Sequence, residues 1–165
     1  MFIGEAPGFN EDKHGRPFIG QAGQFLGELL ASIGLERSSV FIANVVKCRP
    51  PNNRDPLPEE IGACDHFLQS QIEIIRPKMI VTLGRFSMAK FFPGESISRI
   101  HGQERRRDGR LYVPMYHPAA ALHQPALKKV IEDDFRKLPG LLASVRVEPE
   151  PEPPAPPVGT QLSFL

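Results

Sequence analysis

Residues 59–92 read EEIGACDHFLQSQIEIIRPKMIVTLGRFSMAKFF, and they set out the architecture in one pass. Ile61, Cys64, Phe67, Leu68, Ile72 and Ile75 recur at helical spacing, which predicts an amphipathic helix over 59–76. Pro77 ends it, because a proline turns the residue before it away from helical geometry. Met79 to Leu83 is then a short apolar run, as expected of a strand buried on both faces. Gly84 breaks the run and opens a short helix through Phe92. Helix, buried strand and helix in succession belong to a parallel sheet covered on both sides.

The alternation continues outward. Gln21 to Ile33 carries Phe25, Leu26, Leu29, Leu30 and Ile33 at helical spacing, with Gly34 as its stop. Ser39 to Val46 reads as a buried strand, and Lys47 to Pro58 as a proline-punctuated loop. Met1 to Ile3 reads as the tail of a strand running into a polar loop from Gly4 to Phe18. A strand usually has about five residues, so the chain is expected to start late, N-terminally truncated or begun at an internal Met. Leu111 to Tyr116 is a further strand behind a basic loop, and Leu127 to Leu142 a last amphipathic helix. Ligands of such sheets sit at the carboxyl ends of strands. Here those ends are Gly4-Glu5, Asn44, Leu83-Gly84 and Tyr116-His117.

The 165 residues suffice for one domain with a real core, expected over 1–146. Residues 147–160 form a Pro/Glu-rich linker, extended and unable to build a core. No signal-like or membrane-spanning run occurs, so a cytoplasmic address and no membrane partner are expected. A monomer is expected. The net charge of +1 announces no nucleic-acid partner in bulk. The cluster Arg105, Arg106, Arg107 and Arg110 is either a solvated loop or a rim that contacts phosphates. The two cysteines, Cys48 and Cys64, cannot by themselves complete a tetrahedral or iron–sulfur site.

Four features on the strand-end rim could carry chemistry. Gly4-Glu5-Ala6-Pro7-Gly8 lacks the spacing and the Lys-Ser or Lys-Thr of a phosphate loop. It is a simple turn, or a loop that offers backbone amides to a planar ligand. Asn44 is a chain cap, or an amide that matches the polar edge of a base. His117 is structural, or a donor to developing negative charge. Phe18 plugs the loop onto the core, or stacks on a flat ring.

Together these segments resemble the type 4 uracil-DNA glycosylase family. The resemblance rests on Gly4 to Gly8, Gly15-Arg16-Pro17-Phe18, Gly20-Gln21-Ala22-Gly23, Asn44 to Pro51 with Asn53-Arg54, Cys64, Thr82-Leu83-Gly84 and Tyr116-His117-Pro118-Ala119. It covers residues 1 to about 142. It implies an α/β fold, a three-layer α/β/α sandwich around a four-stranded parallel sheet. It implies hydrolysis of the N-glycosidic bond of deoxyuridine in DNA, on a base flipped out of the stack. By motif position Gly4, Glu5 and Ala6 line the uracil pocket, Phe18 stacks on the ring, Asn44 bonds its edge and His117 faces the oxygen that gains charge. No carboxylate stands at Ala6, where type 1 enzymes carry an Asp. Glu5, Glu11 and Asn53 are the polar groups nearby. Glu11, unless it is simply a solvated loop acid, places water or guards the 5-position of the base, and Asn53 is the other catalytic candidate. The family holds a [4Fe-4S] cluster on four cysteines. Cys48 and Cys64 match the last two, the upstream Cys-x-x-Cys pair is absent, and the chain as written is expected to bind the cluster poorly or not at all.

Gln161-Leu162-Ser163-Phe164-Leu165 resembles the short sliding-clamp-binding peptides of bacterial repair proteins, with its last two residues exchanged. Gln161, Leu162, Phe164 and Leu165 would be the contacts; the alternative is an incidental apolar terminus. No lysine stands where a Schiff-base nucleophile would, so a monofunctional glycosylase is expected. The alternatives are a non-catalytic module that binds DNA or damaged bases, and a related enzyme for other deaminated bases.

Overall fold

The computed structural model describes residues 1–145. The Pro/Glu-rich linker and the terminal pentapeptide lie outside the described residues. Five strands form one sheet: β1 (Phe2–Gly4), β2 (Ile42–Asn44), β3 (Met79–Leu83), β4 (Arg105–Arg107) and β5 (Arg110–Met115). Seven helices accompany them: α1 (Phe9–His14), α2 (Gln21–Ser32), α3 (Pro58–Ile75), α4 (Arg85–Phe91), α5 (Ile97–Ile100), α6 (Pro118–His123) and α7 (Ala126–Ala143). The strand order is β2-β1-β3-β5-β4, with the first four parallel and β4 antiparallel to β5.

Period-two alternation sorts the strand side chains between two cores. Phe2, Val81, Leu83, Leu111, Val113 and Met115 face α2, α6 and α7, burying Leu26, Leu29, Leu30, Ile131, Phe135 and Leu138. Ile3, Ala43, Ile80 and Tyr112 face the other way, against Leu68 and Ile72 of α3 and Phe91 of α4. The expected three layers are therefore present.

The sheet itself differs from expectation in one respect. Its four parallel strands are joined by a fifth, because the basic stretch before Leu111 is not a loop. Asp108 and Gly109, both with positive φ, make a tight turn that folds Arg105–Arg107 back on β5. Arg105 pairs with Tyr112, so β4 stops short of Pro114, whose missing N–H would have interrupted a longer ladder.

Two elements are shorter than their apolar runs. The strand expected over Ser39–Val46 is regular only at Ile42–Asn44, after a 3-10 turn at Arg37–Ser39. Val45 and Val46 still donate to Gly4 O and Glu5 O at 3.0 Å each. The apolar face of α3 is also narrower than its spacing implies. Leu68 and Ile72 are buried, whereas Phe67 is 51% and Ile74 80% exposed, and Ile75 lies at the surface too. Ile61 and Cys64 add partly buried contacts to the same core. Among the described residues, no helix is long and apolar enough to cross a membrane.

The topology fixes where a ligand can sit. The chain leaves β1 toward β2 on one side and then crosses back to β3 on the other. The carboxyl ends of β1 and β3, at Gly4 and Leu83, therefore flank the switch point of the sheet, where a crevice opens.

Candidate functional site

Gly4, Phe18, Asn44, Gly84 and His117 converge on that crevice. Gly4 ends β1 beside Asn44, its partner on β2. A side chain at Gly4 would meet Asn44 Oδ1 and the Phe18 ring at 2.6 Å, so only a glycine lets them close over the strand end. Asn44 is buried, and its Oδ1 has no hydrogen-bond partner. A buried amide oxygen left unpaired costs about 1–3 kcal/mol, which marks it as an acceptor waiting for a ligand donor.

Phe18 is held by its backbone. Its φ of 53° is a left-handed conformation that a non-glycine residue adopts only under constraint. Three groups impose it. Arg37 Nη2 donates to Pro17 O. Glu11 Oε1 accepts from Ile19 N at 2.9 Å and Gly20 N at 2.8 Å. Gly23, in the first turn of α2, lies so close that a Cβ there would stand 1.9 Å from Phe18 O. The ring is thereby set against His117, with centroids 5.3 Å apart and planes inclined at 28°.

His117 lies where β5 ends and α6 begins. Gly84, with φ 95°, passes under it, and a side chain there would stand 3.1 Å from His117 Cβ. The N–H of Ala119 donates to His117 Nδ1 at 3.1 Å, capping α6. An amide N–H can only donate, so Nδ1 is the acceptor and the ring proton resides on Nε2. Desolvation in the crevice pushes the imidazole down to about 4, against the opposing influence of the Glu11 carboxylate. At neutral pH His117 is thus an uncharged donor through Nε2.

Glu11 sits in α1, a helix that the loop expected over residues 4–18 conceals. Burial pushes its carboxyl up, but backbone donors including Gly20 and Ile19 outweigh burial and hold it below the usual range. Glu5 behaves oppositely: burial and the carboxylate of Asp55 raise it, with Arg85 partly offsetting them. Ala6 is half-buried between Glu5 and Pro7. A cavity of about 390 Å³ opens beside Asn44, lined by Glu11, Arg16, Lys47 and Gln71 among others. Lys47 Nζ donates to Asn44 O and Gln71 Oε1, both at 2.8 Å.

Other residues singled out by sequence lie apart. Asn53 is exposed, with positive φ, and its Oδ1 accepts from Arg49 Nε at 2.7 Å. The β4–β5 turn points toward the amino end of β5, so Arg105 is the nearest of the three arginines to the rim and Arg107 the farthest. Arg107 also donates to Phe91 O. Cys64 Sγ accepts the N–H of Lys47 at 3.3 Å, which sets it against the residue before Cys48, and both thiols are free. Among the described residues no group of three metal-ligating side chains forms. Two thiols do not complete a four-thiolate set, so residues 1–145 do not fit a [4Fe-4S] cluster on their own.

Sequence reading placed Gly84 on the strand-end rim and Gly23 in a motif of the resemblance without giving either a role, and it did not single out Arg37. A glycine inside a helical pattern is a signal of close backbone approach, and Gly23 could have been found that way. Nothing near Arg37 marks its tie to Pro17, twenty residues away.

Comparison with known proteins points to one family. The sequence profile of the uracil DNA glycosylase superfamily matches residues 1–137. The chain is 54% identical over 148 residues to a type-4 uracil-DNA glycosylase of Sulfurisphaera tokodaii, covering 84% of this chain and 67% of that protein. It is 51% identical to the type-4 enzyme of Saccharolobus solfataricus, over 87% and 71% of the two chains. It is 50% identical to that of Archaeoglobus fulgidus, over 84% and 74%.

Proposed function

The chain belongs to the uracil-DNA glycosylase superfamily, among its type-4 members, and from that premise we propose how its crevice hydrolyses the N-glycosidic bond of deoxyuridine in DNA. The observation that carries the reading is the neutral His117 with its proton on Nε2, set beside Phe18 and near the unpartnered Asn44 amide.

Bond cleavage leaves electrons on uracil and positive charge on the sugar. A fixed donor at the carbonyl oxygen that gains charge lowers the barrier, and one such donor is worth about 3–4 kcal/mol. His117 supplies it with no proton to lose first. Phe18 is the platform for the ring, and Gly4, Glu5 and Ala6 form the wall beside it. Uracil offers a ring N–H between two carbonyl oxygens. An unpaired Asn44 Oδ1 suits that N–H, and the amide's N–H₂ suits the neighbouring carbonyl. Cytosine carries a ring acceptor at the same position and would leave Oδ1 unpaired. For Glu11 we propose two tasks: its Oε1 holds the loop that carries Phe18, and the carboxylate places water or guards the 5-position. Asn53 is the second candidate for handling water.

Cys48 and Cys64 are proposed as two of the four ligands of a [4Fe-4S] cluster, which would anchor the loop between them; no step of hydrolysis passes through it. Arg105, Arg106 and Arg107 are proposed as DNA contacts, Arg105 foremost. Gln161, Leu162, Phe164 and Leu165 are proposed to bind a sliding clamp, and deleting residues 161–165 should abolish clamp binding while sparing excision.

Incubation with single- and double-stranded oligonucleotides carrying one uracil should yield alkali-labile sites at that position and none at cytosine or thymine. No alkali-labile product would leave a DNA-binding module instead of an enzyme.

A further inference from the structure

A second polar assembly stands next to the crevice. Asp134 of α7 is 2% exposed, the only buried carboxylate among the described residues. Its Oδ2 bonds His101 Nδ1 at 2.6 Å, and its Oδ1 accepts from Lys137 Nζ at 2.7 Å. Gly102 makes the seat: with φ 65° it brings the backbone so close that a Cβ would lie 2.0 Å from Asp134 Oδ1. Gly102 N also donates to Pro114 O at 2.8 Å, tying the assembly to the carboxyl end of β5. The His101 ring packs on Tyr116, centroids 4.8 Å apart, and Tyr116 is the residue before His117.

A helix tie alone does not call for this chemistry. Burying a carboxylate is costly unless its charge is compensated, and an apolar contact between α5 and α7 would be cheaper. The carboxylate fixes Nδ1 inward and leaves Nε2 on the far edge of a side chain that is 27% exposed, beside the residue that precedes His117. The same segment carries Arg99, which pairs with Glu95 at 3.8 Å, then Gln103, Glu104 and Arg105, with Arg105 bonded to Gln103 at 3.1 Å; Lys137 and Tyr116 flank the assembly. A chain with net charge +1 gains little long-range attraction to DNA, so discrete contacts must hold it.

We propose that His101, oriented by Asp134, binds a DNA phosphate beside the extruded nucleotide. The ring bridges the two anions, Nδ1 facing the buried carboxylate and Nε2 the phosphate oxygen. The inference rests on the uracil-excision reading and adds a backbone contact to it.

The test is salt-dependent binding of the full chain to a duplex containing one tetrahydrofuran abasic analogue, followed by fluorescence anisotropy between 50 and 200 mM salt. Each phosphate contact contributes about 0.9 to the slope of log affinity against log salt. His101→Gln should weaken binding several-fold at low salt and lower the slope by about one, whatever its effect on the thermal midpoint. His101→Lys should restore the slope. An unchanged slope in His101→Gln would reduce the assembly to a tie between helices and overturn the proposal. A lower midpoint with an unchanged slope would do the same. Failure of the unaltered chain to excise uracil would instead strike the parent reading, so the two failures are separable.

Discussion

Replacing Gly23 by alanine sets two effects of known sign against each other. In a helix alanine is favoured over glycine by up to about 1 kcal/mol. At Gly23, however, the new Cβ would lie 1.9 Å from Phe18 O, 2.0 Å from its carbonyl carbon and 2.8 Å from its Cα. Ordinary contact begins near 3.4 Å, so the Phe18 backbone must retreat by about 1.5 Å, and overpacking of this kind costs about 1–3 kcal/mol. The loop cannot absorb the shift freely, because Glu11 and Arg37 hold the residues on either side of Phe18. Displacing a substrate platform by about 1 Å costs on the order of 100-fold in rate. Gly27 of the same helix is the control, since a Cβ there meets nothing within 4 Å. Single-turnover excision and thermal unfolding should separate the pair. Gly27→Ala should be stabilised by up to about 1 kcal/mol at unchanged rate, and Gly23→Ala should lose about 100-fold in rate with no gain in stability. If Gly23→Ala gained stability like Gly27→Ala and kept its rate, the account of Phe18 as a platform braced by α2 would be wrong.

Three further outcomes follow from the same geometry. The folded His117 titrates near about 4 and the unfolded one near 6.5, so the unfolded chain binds more protons between them. Stability should be unaffected by this group above about pH 6.5 and decline by at most about 3 kcal/mol as pH falls through the window, with excision flat to about pH 5 and falling below it; denaturant melts and a pH–rate profile check both. Asn44→Ala should lower kcat/KM for uracil by on the order of 100-fold while leaving binding to undamaged DNA intact, as measured by steady-state kinetics and anisotropy. Glu11→Gln keeps an acceptor but loses the charge that two backbone N–H groups share, so a loss of about 1 kcal/mol in stability is expected by denaturant titration, with reduced excision.

The parallel core was legible because β3 and its flanking helices announce themselves by period alone. Met79–Leu83 is apolar throughout, and the bounds of α2 and α7 fall within a residue of their apolar patterns. The hairpin at Arg105–Met115 was not legible, since three arginines have no strand-like pattern and only the Asp108-Gly109 turn betrays it. The outer face of α3 misled for a related reason. Phe67 fits the helical stripe, but a stripe says which residues share a side and not how much of that side is covered. In the site, Gly4, Phe18, Asn44 and His117 come together as their places at strand ends and in the first loop imply. What sequence could not convey was the bracing. Gly23 against Phe18 O, Arg37 on Pro17 O and Asp134 beneath His101 are contacts between residues distant in the chain or invisible to side-chain pattern.

The left-handed Phe18, jammed by its carbonyl against the first turn of α2, makes the loop and the helix a single mechanical piece. A wall built this way has no slack position to occupy while it waits. On the excision reading proposed above, rearrangement on encounter is borne by the nucleic acid: the base swings out of its stack into a slot already cut to size. Bases that unstack at low energetic cost are met first, so the weakness of a damaged or mispaired site becomes part of how it is found.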